Sequence, residues 1–191
     1  GYLDEPALAQ LMQRCAAVTT EFENVPSGAL LTLGAHRPVA PAADAVAICQ
    51  DRALEKAHFR RCGVPCADHA VISDAKELAA VDPVLLPGIL KTARLGYDGK
   101  GQARVRDRDE LAAAWESMQG VTCVLEQRLD LAAELSVIVA RGADGQVVHL
   151  PVQRNLHRDG ILAVTTVPAG IEPALELQAV AAATRIAESM Q

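Results

Sequence analysis

The segment that most constrains this fold runs Lys91-Thr92-Ala93-Arg94-Leu95-Gly96-Tyr97-Asp98-Gly99-Lys100-Gly101-Gln102. Ile89 to Lys91 reads as the end of a strand, and Gln102 to Arg106 alternates as the next strand should. The loop therefore joins two strands. It is not a Walker P-loop, in which Gly-Lys-Ser/Thr opens a helix. A lysine ending a buried strand is costly unless its ammonium meets an anion. Gly96, Gly99 and Gly101 let backbone N–H groups approach a ligand, and Lys100 adds a second cation. Lysines and exposed N–H groups in one glycine loop make a phosphate clamp. A glycine-rich hairpin with solvated lysines would use the same residues.

Two further stretches carry chemistry. Val121 to Glu126 is an apolar strand that runs into Glu126-Gln127-Arg128-Leu129, with Glu134 following. A strand edge can hydrogen-bond adenine through one carbonyl and one N–H, and a nearby carboxylate can accept both ribose hydroxyls. Taken alone, Glu134 also fits a solvated carboxylate at a strand start. In Asn155-Leu156-His157-Arg158-Asp159-Gly160-Ile161-Leu162, His157 reads as a residue of a polar turn. It either faces phosphates or substrate, or is simply solvated.

The remaining pattern alternates helices and strands. Helices are expected over 5–15, 26–33, 42–50, 51–62, 74–80, 107–118 and 172–190, with Ser73 as a cap. Strands are expected over 17–22 and 69–72. Leu135 to Arg141, Gln146 to Leu150 and Ile161 to Val167 form an antiparallel set. His36 to Pro41 reads as a connection. At 191 residues the chain is one large domain or two small ones. Its formal charge of −6 argues against nucleic acid. No apolar run approaches the roughly 20 residues of a membrane span. Nothing at the start resembles a signal peptide. Cys15, Cys49, Cys62, Cys66 and Cys123 do not form the paired sets of a zinc site and read as reduced thiols of a cytosolic protein. His58 and His69 read as ordinary surface or loop residues.

With Thr20-Glu21-Phe22-Glu23-Asn24-Val25-Pro26, Gln50-Asp51-Arg52, Glu55-Lys56 and Glu134 to Arg141 in order around these segments, the chain resembles the ATP-grasp superfamily. Within it, the sequence is similar to the N5-carboxyaminoimidazole ribonucleotide synthases, the ATPase subunit of phosphoribosylaminoimidazole carboxylase. The run from Gly96 to Gln102 is the discriminating motif. The formate-dependent glycinamide ribonucleotide transformylase, biotin carboxylase and D-alanine ligases differ where Tyr97 and Asp98 stand. The resemblance implies an α/β (α+β) ATP-grasp fold with a partial N-terminal Rossmann-like, pre-ATP-grasp layer. Residues 1–40 would be the remnant of that layer, 41–125 the lid subdomain, and 126–191 the first part of the C-terminal subdomain.

The resemblance also implies roles. Arg52 and Lys91 would contact ATP, Lys91 at the phosphates. Gly96, Tyr97, Asp98, Gly99, Lys100, Gly101 and Gln102 would close over the triphosphate, with Tyr97 and Asp98 toward the ribonucleotide. Lys91, Lys100, Tyr97 and Asp98 would serve catalysis. Glu126, Gln127, Arg128 and Leu129 would be the adenine hinge, Glu134 would hold the ribose, and His157 would lie near the nucleotide. The family is a cytoplasmic carbon–nitrogen ligase, usually a homodimer. It uses ATP, Mg2+, bicarbonate and 5-aminoimidazole ribonucleotide, by way of carboxyphosphate. Its Gly-Gly-Gln-Leu turn and its Mg2+-binding Glu and Asn-Glu residues find no counterpart between Gly1 and Gln191. Metal ligands are therefore expected outside this chain, which reads as a central fragment. Arg154 stands where many members have Glu and receives no role. A different ATP-grasp carboxylate–amine ligase and a non-catalytic ATP-binding fragment are the alternatives.

Overall fold

The computed structural model describes residues 1–96, 100–158 and 160–190. The chain begins with α1 (Glu5–Arg14), where the Asp4 side chain accepts from the Ala7 N–H and Pro6 occupies the first turn. Strands β1 (Val18–Thr19) and β2 (Val39–Ala40) pair in parallel, Val18 opposite Val39, with α2 (Ser27–Gly34) as the crossover between them. A parallel pair needs such a crossover, which is the α/β layer the sequence implies. The strand expected over 17–22 shortens to two residues, and the expected connection at His36–Pro41 supplies its partner strand. Leu8, Ala29 and Leu33 pack on one side of α2, and Val25, Leu30 and Val46 on the other. Helix α3 (Ala43–Cys49) then leads into α4 (Arg52–Arg61), capped by the Asp51 side chain on the Ala53 and Leu54 N–H groups.

The central sheet has four antiparallel strands, built from β3 (His69–Ile72), β4 (Gly88–Thr92), β5 (Gln102–Val105) and β6 (Cys123–Gln127), in the order β3-β6-β4-β5. Successive side chains alternate faces. Leu90 opposes Leu125, and both belong to a core with Ile72, Val81, Leu85, Val105, Leu111 and Cys123. Helices α5 (Ala75–Ala79) and α6 (Arg108–Ser117) flank this sheet, α6 contributing Leu111 to the core. Asp74, not Ser73, caps α5, because its carboxylate accepts from the Glu77 N–H. The Ser73 N–H and hydroxyl are taken by the Glu77 carboxylate. Gly88 lets β4 pass under its neighbours: a Cβ there would stand 2.7 Å from the Leu85 carbonyl oxygen and 2.9 Å from that of Glu126.

The expected strand from Leu135 to Arg141 divides. β7 (Glu134–Ser136) pairs with β10 (Gln153–Arg158), and β8 (Val139–Arg141) pairs with β9 (Val147–His149) in a separate hairpin. β10 also pairs with β11 (Ile161–Thr166), giving a three-stranded sheet β11-β10-β7. The stretch read as a polar turn around His157 is therefore a strand. Helix α7 (Pro173–Ser189) lies against β8 and β9. All five cysteines are free thiols. His58 is not a surface residue. It is 5% exposed on α4, where Arg61 donates to Nδ1 and Nε2 reaches the Ser189 hydroxyl at the end of α7. His69 lies in β3.

Candidate functional site

The face of the central sheet opposite the Leu90–Leu125 core carries the charged groups. In the β4–β6 register, Lys91 opposes Val124 and Ile89 opposes Glu126. Lys91 and Glu126 are therefore diagonal neighbours on one face. The Lys91 ammonium stands 3.0 Å from Glu126 Oε2. Lys56 reaches the other oxygen from α4, its Nζ 3.2 Å from Oε1. Burial pushes the Glu126 carboxyl up, but the Lys91 and Lys56 ammonium groups outweigh it and hold the carboxyl below its ordinary value. Glu55, one residue before Lys56, goes the other way. Burial raises its carboxyl, and Lys56, Arg52 and Lys91 pull it back only in part. The anion that Lys91 needs is thus supplied within the protein by Glu126.

The Gln50-Asp51-Arg52 triplet is the joint between the N-terminal layer, α4 and the glycine loop. Gln50 donates through Nε2 to the carbonyl oxygens of Glu23 and Val25. Arg94 Nη2 donates to the Gln50 side chain and lies 3.8 Å, through Nη1, from the Asp51 carboxylate. Arg52 Nη1 donates to the Thr92 carbonyl at 2.8 Å, and Nη2 comes within 3.5 Å of the Gly96 carbonyl. The Arg52 N–H donates to the Ala93 carbonyl. Arg52 therefore grips the base of the loop by its backbone. Leu95 in that base has φ 61° and is 73% exposed. A β-carbon makes this left-handed geometry costly, by about 1–2 kcal/mol. On the returning side, Gly101 has φ +71°, and its carbonyl accepts from the Thr92 N–H. Lys100 is exposed at the turn into β5. Tyr97, Asp98 and Gly99 lie outside the described residues.

At the other end of β6, the Gln127 N–H donates to the Asp68 carbonyl and the Arg128 N–H to the Pro87 carbonyl, while the Gln127 side chain donates to Val84. These two N–H groups are already engaged. Arg128 and Leu129 are exposed. Glu134 opens β7 opposite Asn155, and its Oε2 lies 2.8 Å from His157 Nδ1. The structure therefore unites Glu134 with His157, and Lys91 with Glu126. Lys56 and Glu55 received no role from sequence reasoning. Their signal was the spacing of Arg52, Glu55 and Lys56, which places all three on one face of α4.

Arg52, Glu55 and Gly96 also line a cavity of about 1340 Å³. Thr20 to Asn24 from the N-terminal layer and Arg141 from β8 close it. Among the described residues no group of three or more His, Cys, Asp or Glu side chains could hold a metal ion. Among those residues no helix is long and apolar enough to cross a membrane.

Comparison with known proteins places these features in one family. Residues 57–191 match the ATP-grasp domain, and residues 1–50 match the ribonucleotide synthetase preATP-grasp domain. The N5-carboxyaminoimidazole ribonucleotide synthase of Brucella melitensis is 39% identical over 193 residues, covering 100% of this chain and 52% of the relative. That of Pseudomonas aeruginosa is 36% identical over 170 residues, covering 88% of this chain and 47% of the relative. The chain spans about half the length of the curated relatives it matches. The crystal structure of an ADP complex of an N5-carboxyaminoimidazole ribonucleotide synthetase superposes with a TM-score of 0.90 at 32% identity, covering 98% of this chain and 50% of that one. The Aspergillus clavatus enzyme in complex with ADP and 5-aminoimidazole ribonucleotide gives 0.84 at 27% identity, covering 95% and 48%. The chain belongs to the ATP-grasp family, and the Brucella and Pseudomonas relatives it resembles are N5-carboxyaminoimidazole ribonucleotide synthases.

Proposed function

We propose that this chain supplies the ATP grip for carboxylation of 5-aminoimidazole ribonucleotide in purine biosynthesis. Lys91 carries the reading: it is a part-buried cation on a strand that feeds a glycine loop, and it is paired with a carboxylate on the same sheet face. On this reading Lys91 and Lys100 meet the triphosphate, with the backbone from Gly96 to Gln102, including Gly99, over it. Glu126 to Leu129 border the adenine, and Glu134 takes the ribose with His157 fixing its carboxylate. Tyr97 and Asp98 face the ribonucleotide. Arg52 acts at the loop base, beside the cavity that takes the second substrate. A bicarbonate oxygen attacks the γ-phosphorus, ADP leaves, and carboxyphosphate forms. The exocyclic amine of the imidazole then takes the carboxyl group, releasing phosphate. Lysines and fixed N–H groups neutralise the charge on the transferring phosphoryl group, and a closed loop keeps water from carboxyphosphate. Magnesium would neutralise phosphate charge, but the described residues offer it no ligand set, so no step is assigned to it. On the same reading the assembled enzyme is a cytoplasmic homodimer.

The test is phosphate release from ATP with bicarbonate. Release stimulated by 5-aminoimidazole ribonucleotide, and not by glycinamide ribonucleotide or amino acids, is the expected result. Stimulation by one of the others instead would assign a different ATP-grasp ligase. ATP binding with no turnover at any acceptor concentration would leave a nucleotide-binding unit only.

A further inference from the structure

Glu126 carries one carboxylate between two ammonium groups that differ in their freedom. Lys56 sits on helix α4 with 13% of its side chain exposed, against 15% for Glu126 and 25% for Lys91. Lys91 is the more exposed of the two and stands one residue before the end of β4, where the chain enters the glycine loop. Lys56 is the deeper and is held within a helix. With Arg52 and Glu55, the cluster sets three cations against two carboxylates, so it carries a net positive charge into the site. When Lys91 turns to a phosphate, it must loosen its hold on Glu126. A carboxylate stranded in a part-buried place is costly, and a second cation already on its other oxygen removes that cost.

We propose that Lys56 is a positioning residue that keeps Glu126 paired, so that Glu126 serves as an exchangeable counter-ion holding Lys91 until a nucleotide phosphate takes it. This rests on the ATP-site reading above. Glu126 then has two separate duties: its backbone pairs β6 with β3 on one side and β4 on the other, and its carboxylate governs when Lys91 is released. Without Lys56, Lys91 is the ion-pair partner left to Glu126 among the described residues, and Glu126 competes with phosphate for it.

Calorimetric titration of ADP into the wild-type chain and its variants tests this. Lys56→Met should weaken ADP binding about tenfold, and Lys56→Arg, which can still bridge Glu126, should stay within about threefold of wild type. Glu126→Gln removes the carboxylate that competes with phosphate for Lys91 and should bind ADP more tightly than wild type, by about threefold. In the Glu126→Gln background, Lys56→Met should change affinity by less than about twofold, because the carboxylate it served is gone. A helix-packing role for Lys56 would instead give the same loss in both backgrounds and overturn the proposal, as would an unchanged Kd for Lys56→Met. If Lys56→Met does not fold, Glu126→Gln decides alone, tighter ADP binding supporting the proposal and weaker or unchanged binding contradicting it. The underlying reading fails separately: no ADP binding by wild type, or an unchanged Kd in Lys91→Ala, overturns both.

Discussion

Lys91 and Lys56 hold the Glu126 carboxyl below its ordinary value despite burial, so the folded state binds its proton more weakly than the unfolded chain does. The stabilisation is therefore present above the unfolded value of about 4.3 and is lost as pH falls through the folded one. Glu126→Gln should lower stability by about 1–3 kcal/mol at neutral pH, since it leaves two part-buried ammonium groups without their carboxylate. Denaturant melts as a function of pH check this: the gap to wild type should close as pH falls below about 4. A gap independent of pH would mean that the loss comes from packing and not from charge. The sequence already pointed to an anion for Lys91, because a lysine ending a buried strand is costly by itself. It did not say which anion, since the diagonal placement of residues 91 and 126 depends on a strand register set by tertiary pairing. His58 shows the same limit, because its partner Ser189 lies far along the chain.

Elements read most clearly where their pattern is strongly one-sided. The core strands β4 and β6 announce themselves through Leu90, Val124 and Leu125, and Leu125→Ala should cost about 2–5 kcal/mol by leaving a cavity between the sheet and its helices. Strand β10 gives little signal, because Gln153, Arg154, Asn155, His157 and Arg158 are polar and only Gln153 is buried. Its strand state comes from two pairing partners, β7 and β11, which periodicity cannot see. The division between β7 and β8 has the same cause: the apolar run through Val137 and Ile138 contains no breaker, yet its two halves pair in different sheets. The glycine loop is held by geometry at its return. Gly101 has φ +71°, and a Cβ there would lie 2.6 Å from Thr92 Oγ1. Gly101→Ala should therefore destabilise the loop by about 1–2 kcal/mol and weaken ADP binding. Thermal melts and calorimetry together check it, and unchanged values in both would contradict the close approach to Thr92.

At the scale of the molecule, the N-terminal layer and the central sheet have their own cores, whereas the last third is thinly covered. Ile161, Leu162 and Val164 of β11, Leu156 of β10 and Leu175 and Leu177 of α7 are all exposed, and no residue of α7 is buried. An apolar area of this kind favours association. The chain should therefore sediment as a concentration-dependent mixture, with an unfolding midpoint that rises with protein concentration. A monomer with a concentration-independent transition would contradict this. The family was legible because its motifs are short, ordered and local, and the parallel β1–β2 pair fits the layer those motifs implied. Which residues face the cavity at the joint of the layers was not legible, because Thr20 to Asn24 and Arg141 meet only through the fold. The proposed ATP grip depends on the sheet face around Lys91 being a nucleotide site. Titration calorimetry of ATP against the wild-type chain and Lys91→Ala tests that most directly. Saturable binding that falls about tenfold or more without Lys91 is the predicted result, and equal affinity in the two proteins, or no binding by wild type, would contradict it.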